Sequence, residues 1–359
     1  MKRGILICLF CIPALLMIGC WDQNLLKDTD LILGTGFDLT PDGQVLTTFV
    51  IDKGTNYQVF SSVGHTPRDA LLNIGHRMQG IIDTSKNRFI LIGEELAKQD
   101  IYPLLEVFYR NPKSALNAKI AIVKGTAQQL LQTPFAENQN ILMSIDKQLK
   151  TNEKKTYISK LDLQSLRTTM FDSGEDVLVP YLGRGATDIS TLGLVMFNRQ
   201  RMTGTLDKLD STICLIIDDK YGPKAELSIP LGNTKKLNSF ITFNVLKSKR
   251  DLQIDIQNVV NVTIDMQLKL EIIEFAHDHL DDKEQIAQLN KKIESVLTTK
   301  AKEIIKKLQK ANCDALGIGR RLNAYHHAYW NSVNWVEEYP KIKMQPKITV
   351  EIQRHGISN

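Results

Sequence analysis

The stretch Val262-Thr-Ile-Asp-Met-Gln-Leu-Lys-Leu-Glu-Ile272 alternates apolar and polar residues without a break over eleven positions. A period of two puts Val262, Ile264, Met266, Leu268 and Leu270 on one covered face of a strand. Thr263, Asp265, Gln267 and Lys269 then fall on a wet face. One covered and one wet face marks an antiparallel sheet, because strands of a doubly wound sheet are apolar on both. From about Asp282 to Lys310 the spacing becomes helical, with Ile286, Leu289, Ile293, Val296, Leu297, Ala301, Ile304 and Leu308 in one stripe. That stripe is expected to pack on the sheet, leaving lysines and glutamates in water. Ile348, Val350 and Ile352 alternate again as a returning strand. Strands, one long helix and a returning strand describe an α+β domain.

Other strand candidates crowd the same half: Thr191–Phe197, Ser211–Ile217, Ala225–Ile229, Ser239–Leu246 and Leu252–Gln257. The first half has a different texture. Residues 31–37 and 45–51 are β-rich runs around the turn Thr40-Pro41-Asp42-Gly43, which reads as a hairpin. Thr66 and Pro67 open a helix whose face carries Leu71, Leu72, Ile74, Met78, Ile81 and Ile82. Arg88–Ile92 and Ala118–Val123 read as strands, and 94–109 as a helix broken near Tyr102 by Pro103. Thr126 with Gln129 makes a capping-box start. Asn138, Ile141, Leu142, Ile145 and Leu149 line one amphipathic face within the polar stretch 137–172. A glycine-rich loop at 182–186 ends this half. The fold class expected is therefore α+β and multi-domain: an N-terminal hairpin plus alternating α/β segment, then a C-terminal antiparallel sheet packed by one long helix. The expected boundaries are 20–186, with 137–172 a candidate helical subdomain, and 187–359.

The N-terminus sets an address. Lys2 and Arg3 precede a fourteen-residue apolar run, Ile5–Ile18, which fits an export signal and is short for a bilayer span of about twenty residues. Gly19-Cys20 at its end resembles the bacterial lipobox, although Met17 stands where leucine is usual. Residues 1–19 are then a signal peptide that is removed, and Cys20 is the lipidation site. The competing readings are plain secretion, an uncleaved anchor and an internal apolar stretch. A formal net charge of +5 suits proximity to anionic lipid and is too small and dispersed to indicate nucleic acid. Outside the signal and Cys20, only Cys214 and Cys313 remain. Both read as core residues, Cys214 within the strand candidate 211–217.

Reactive constellations are sparse. Gly34-Thr35-Gly36 lacks a third glycine and a following helix, and Gly317-Ile318-Gly319-Arg320 follows a helix instead of a strand, so neither is a phosphate loop. His277-Asp278-His279 and His326-His327 lack companion ligands at metal spacing. Arg167, Arg184 and Lys220 serve equally as surface residues or anion contacts. No cofactor is expected, and a binding or assembly role is favoured over an enzyme.

The segment Cys313-Asp-Ala-Leu-Gly-Ile-Gly319 through Tyr325, Trp330, Trp335 and Tyr339-Pro340 resembles the Ger(x)C family, the C-subunit lipoproteins of nutrient-germinant receptors in endospore-forming bacteria. Gly19-Cys-Trp-Asp22, Leu33-Gly-Thr-Gly-Phe-Asp38, residues 85–95, Leu192–Phe197 and Met202–Leu206 look like further family motifs in order. Gln23-Asn24-Leu25-Leu26 departs from the basic-acidic pair common there. The resemblance implies a membrane-bound, lipid-anchored protein on the outer surface of the spore inner membrane. It also implies A-type and B-type integral membrane subunits as partners, the B-type sensing the nutrient. In the family motif, Trp330 and Trp335 read as core packing, and Gly317 and Gly319 as a helix C-cap and turn. The alternative is an exposed aromatic there that docks a partner. A lipid-anchored solute-binding protein of a transporter is the second reading of the whole chain.

Overall fold

The computed structural model describes residues 28–53, 57–78, 80–133, 141–186, 188–232, 239–276 and 282–354. The signal, Cys20, the junction at 23–26, Asn138 and His277-Asp278-His279 lie outside the described residues. Two mixed sheets organise the chain. The first holds β1 (Thr29–Leu39), β2 (Val45–Asp52), β3 (Tyr57–Gly64), β4 (Ile81–Asp83), β5 (Phe89–Gly93), β6 (Lys119–Val123), β7 (Leu178–Arg184), β8 (Ile189–Asn198) and β9 (Arg201–Asp207). Its order is β3-β2-β1-β5-β6-β7-β8-β9, with β4 beside β1.

Local chemistry explains the start of this sheet. The β1–β2 hairpin turns at Gly43, whose φ of +77° is the left-handed region where glycine is easiest. Helix α1 (Pro67–Gly75) begins where Thr66 Oγ1 accepts from Asp69 N–H at 3.1 Å. It ends at Gly75, so Ile81 and Ile82 do not continue its face; they pair with Thr29 and Asp30 in β4. Leu72 is also exposed. The expected break at Pro103 separates α2 (Glu94–Ala97) from α3 (Tyr102–Arg110). Thr126 caps α4 (Ala127–Leu131), and the buried Asp38 carboxylate accepts from Ala127 and Gln128 N–H at 2.7 and 2.8 Å.

The parallel middle of the sheet is covered on both faces, as its apolar strands require. Ile90 and Ile92 of β5 pack with α2, α3 and α6 (Leu163–Met170). Phe89 and Leu91 pack on the opposite face with α4 and α5 (Ile141–Lys154), where Leu142, Ile145 and Leu149 are buried as their spacing predicts. Leu182, Gly183 and Arg184 are not a loop. They finish β7 and pair with β8, so the sheet runs on through β9.

Ser211–Ile217 is helical, not a strand: α7 spans Lys208–Ile217. Asp207 Oδ1 caps it by accepting from Asp210 N–H at 2.9 Å, and every residue from Asp210 to Ile217 is buried. A helix apolar all round has the same unbroken run as a buried strand, which is why the pattern misleads. Cys214 is nonetheless in the core, as is Cys313, and both are free thiols.

The second sheet has the order β10-β11-β12-β13: β10 (Glu226–Pro230), β11 (Phe240–Ile256), β12 (Val260–Phe275) and β13 (Lys343–Arg354). The two candidates at 239–246 and 252–257 are one long strand, carried past irregular pairing at Thr242 and Val245 by bulges. Val262, Ile264, Met266, Leu268 and Leu270 face inward as their alternation predicts. β10, β11 and β12 are antiparallel, whereas β13 runs parallel to β12. Between them α8 (Lys283–Lys310), ~42 Å long at 1.5 Å per residue, returns the chain to the side where β12 began. Leu289, Ile293, Leu297, Ala301, Ile304 and Leu308 are its buried stripe. The same helix closes the edge of the sheet. Thr298, Glu294 and Asn290 accept from the N–H groups of Ile348, Val350 and Ile352 at 3.4, 2.8 and 3.2 Å. A helix laid along an edge strand this way hides a template for stray pairing.

Candidate functional site

A buried polar cluster forms where the loop 172–176 meets the chain after α8. α8 ends in a Schellman turn, with Asn312 at φ +49°. Asn312 N–H reaches Gln309 O at 3.0 Å, and Cys313 N–H reaches Leu308 O at 2.9 Å. The left-handed cap of α8 is therefore Asn312, not a glycine. Gly317, at φ +67°, instead turns the chain into α9 (Ile318–Tyr325).

Asp314 sits between these turns, 2% exposed. Its Oδ1 accepts from Ile318 N–H at 3.0 Å, and Oδ2 accepts from Gly319 N–H at 2.7 Å and the Trp335 indole N–H at 3.0 Å. The carboxylate thus satisfies first-turn donors of α9, which has no side-chain cap of its own. Burial pushes the Asp314 carboxyl up to about 7, against the downward pull of those three donors. Gly319 has to lack a side chain, because a Cβ there would lie 2.4 Å from Trp335 Nε1. Trp335 packs 5.8 Å from the rings of both Trp330 and Tyr339, and the Tyr339 hydroxyl donates to Cys313 O at 2.9 Å. Trp335 and Tyr339 are buried. The core-packing reading holds for Trp335, whereas Trp330 is only half-buried against the same core.

The loop 172–176 locks onto this turn through its backbone. Asp176 accepts from Asp314 N–H at 2.8 Å and from Arg199 N–H at 2.7 Å, and donates its own N–H to Asp314 O at 3.0 Å. Gly174 O accepts from Arg320 N–H at 2.7 Å, and a Cβ on Gly174 would lie 2.2 Å from that nitrogen. An ionic layer surrounds the contact. Glu175 binds Lys220 and, at 2.9 Å, Arg320. Asp218 binds Lys220 at 2.9 Å and Arg250 at 3.2 Å, and Arg250 also donates to Leu316 O at 2.9 Å. Burial raises Asp176 and lifts Asp218 to about 6. For Glu175, burial is outweighed by Lys220 and Arg320, which hold it below its usual value. An open cleft of about 410 Å³ lies over this layer, with Arg321 and the exposed Tyr325 on its rim.

Among the residues singled out from sequence, Lys220 belongs to this joint. Arg167 instead stacks over Tyr109 at 5.1 Å and Phe171 at 5.9 Å, and Arg184 is exposed at the end of β7. His327 Nδ1 lies 3.1 Å from Asn323 Oδ1. Cys214 and Cys313 thiols are pushed up by burial, away from thiolate reactivity. Among the described residues no group of three or more His, Cys, Asp or Glu could hold a metal ion, and no helix is long and apolar enough to cross a membrane. Sequence reasoning missed Gly174, Asp176, Asp218 and Arg250. The acidic turn Asp172-Ser-Gly-Glu-Asp176, set against Arg320-Arg321, is the signal that could have found the first two.

Two family models match the chain in order. Residues 22–184 match the spore germination protein N-terminal domain, and 192–356 match the spore germination B3/GerAC-like C-terminal domain. The chain belongs to the Ger(x)C spore germination family. Spore germination protein GerQC of Bacillus cereus is 24% identical to it, with all of both chains covered. A putative spore germination protein, YfkR of Bacillus subtilis (strain 168), is 21% identical over 99% of this chain and 98% of that one. Spore germination protein KC of the same strain is 20% identical over 100% of this chain and 97% of its own. The crystal structure of the GerBC protein superposes with a TM-score of 0.62 at 17% identity, covering 93% of this chain and 100% of that one, which shows a shared fold. In family terms, the Asp314–Asp176 contact ties the N-terminal domain to the C-terminal one.

Proposed function

We propose that this chain is a non-enzymatic, lipid-anchored subunit of a spore nutrient-germinant receptor, acting in receptor assembly or signal relay. The observation that carries the reading is the match of both spore germination domains, in order, over nearly the whole chain. Cys20 supplies the anchor, eight positions before the first described residue, Asp28. The lipid holds the chain on the outer surface of the spore inner membrane, beside A-type and B-type membrane subunits. Tethering raises the effective concentration for those partners without any new contact. The two family domains share the first sheet through the β7–β8 pairing and meet again at the buried Asp314–Asp176 contact. None of the comparisons supports the transporter-binding-protein reading, and the second sheet is wet on one face instead of wrapped by helices on both.

Replacing Cys20 with Ala tests the tether. The expected result is a shift of the protein from the membrane to the soluble fraction of spore lysates and slower nutrient-triggered germination. Full membrane retention with normal germination would remove the lipid from the mechanism.

A further inference from the structure

A crevice opens on the first sheet between α1 and α3, away from the joint. Thr35 and Phe37 of β1 and Thr47 and Phe49 of β2 form its floor. The register pairs Thr35 with Phe49 and Phe37 with Thr47, so all four side chains share one face. Leu71 of α1 and Phe108 of α3 stand on either side. The crevice coincides with a break in the core. Phe49, Ile51 and Ile74 make one buried cluster beneath α1, while Phe37, Ile90 and Phe108 belong to another beneath α3.

Two hydroxyls on this lining, Thr47 Oγ1 and Ser114 Oγ, are shielded from solvent and have no hydrogen-bond partner among the described residues. Thr47 is 1% exposed. Thr35 beside it is satisfied, accepting from Asn87 Nδ2 at 2.9 Å. Buried hydroxyls are nearly always paired, so two orphans on one space mark where something outside the chain supplies the bonds. The chemistry of that ligand follows from the walls. Each hydroxyl can donate one hydrogen bond and accept two. The floor carries no charged side chain, and Arg68 is the single charged residue on the lining, itself exposed. An ionised head at the floor would lose water without gaining a countercharge.

We propose that this crevice binds a small uncharged amphipathic molecule, of the short-chain alcohol or primary-amide class. Its polar head bonds Thr47 and Ser114, and its aliphatic tail lies against Leu71 and Phe108. The enclosed space is about 30 Å³, close to the share of one water molecule. Entry of the tail therefore moves α1 outward from α3. The polar bonds of this segment to the β3 edge, Asn73 Nδ2 to Val63 O and Arg77 Nη1 to Ser61 O, are exposed, whereas Ala70 and Ile74 of α1 are buried, so the displacement costs part of the core contacts of those two residues. The site stands independently of the receptor role.

Titration of the purified protein with 1-butanol and with butyramide, followed by backbone amide shifts, tests the site. Saturable shifts confined to β1, β2, α1 and α3 are expected. The Thr47→Val, Ser114→Ala double variant, which keeps side-chain volume nearly constant, is expected to bind about tenfold more weakly. If the double variant does not fold, Ser114→Ala alone, at the less buried position, gives the same comparison with a smaller loss. Absence of saturable shifts, shifts scattered over the surface, or unchanged affinity in the variants would each overturn the proposal and leave the crevice as a water site.

Discussion

Asp314 offers a test of whether burial or hydrogen bonding governs the joint. Asparagine at this position keeps the size and one acceptor oxygen. The amide will turn its NH2 toward Ile318 N–H, because the opposite flip would oppose both Gly319 N–H and the Trp335 indole. One buried backbone donor is left unpaired, at a cost of about 1–3 kcal/mol. Ionisation works in the other direction. The folded carboxyl titrates at about 7 instead of its ordinary 3.8, roughly three units, or about 4 kcal/mol at about 1.4 kcal/mol per unit. A carboxyl that holds its proton more tightly when folded favours folding in acid. Stability from this group therefore falls as pH rises from about 4 through about 7. Near pH 4 the protonated carboxyl also sets an O–H among these donors, so wild type should exceed Asp314→Asn by no more than about 1–3 kcal/mol. By pH 7.5 the difference should move toward the variant by up to about 4 kcal/mol, closing or reversing the gap. Urea unfolding of both proteins across this range reads the difference directly. Titrations of Asp176, Asp218 and Glu175, common to both, largely cancel. A wild type that gains on the variant as pH rises would refute the reasoning, because the three donors would then outweigh burial and hold Asp314 ionised.

Two further outcomes are expected. Gly174→Ala forces a methyl against Arg320 N and breaks the Gly174 O–Arg320 N–H bond. It should lower stability by about 1–3 kcal/mol and speed amide exchange at Arg320; unchanged exchange there would show that the loop is not a lock. Glu294→Ala frees the Val350 N–H on the β13 edge and should cost about 1 kcal/mol. It should also promote self-association in sedimentation, since an open edge pairs with other chains. A variant that sediments as wild type does at high concentration would leave the edge guarded by other means.

Much of the fold was legible because it is encoded locally. The Pro41-Asp42-Gly43 turn, the Thr66 cap, the Pro103 break and the alternation at 262–272 each act over a few residues, and each appears where expected. The Asp314 turn was readable as a motif with its tryptophans. Its partner was not: Asp176 lies 138 positions away, and no local pattern records a backbone contact across that distance. Ser211–Ile217 was misread for a related reason. Its apolar run says only that the segment is buried, and the Asp207 cap together with enclosure on all sides made it a helix. Arg250 would have been placed in water by its charge, yet register puts it on the covered side of β11 beside Met266, where Asp218 and Leu316 O receive it.

The amino-acid sequence by itself determined which faces would be covered, where turns and helix starts fall, and the family to which the motifs belong. These follow from backbone period and side-chain chemistry, which act within a turn or a strand. The tertiary structure alone decided that β13 runs parallel to β12, that α8 seals the sheet edge, and that Gly174 and Asp176 hold the Asp314 turn. Those contacts join segments far apart in the chain. Their formation depends on how long elements pack and where they return, which residue order within any one segment does not specify.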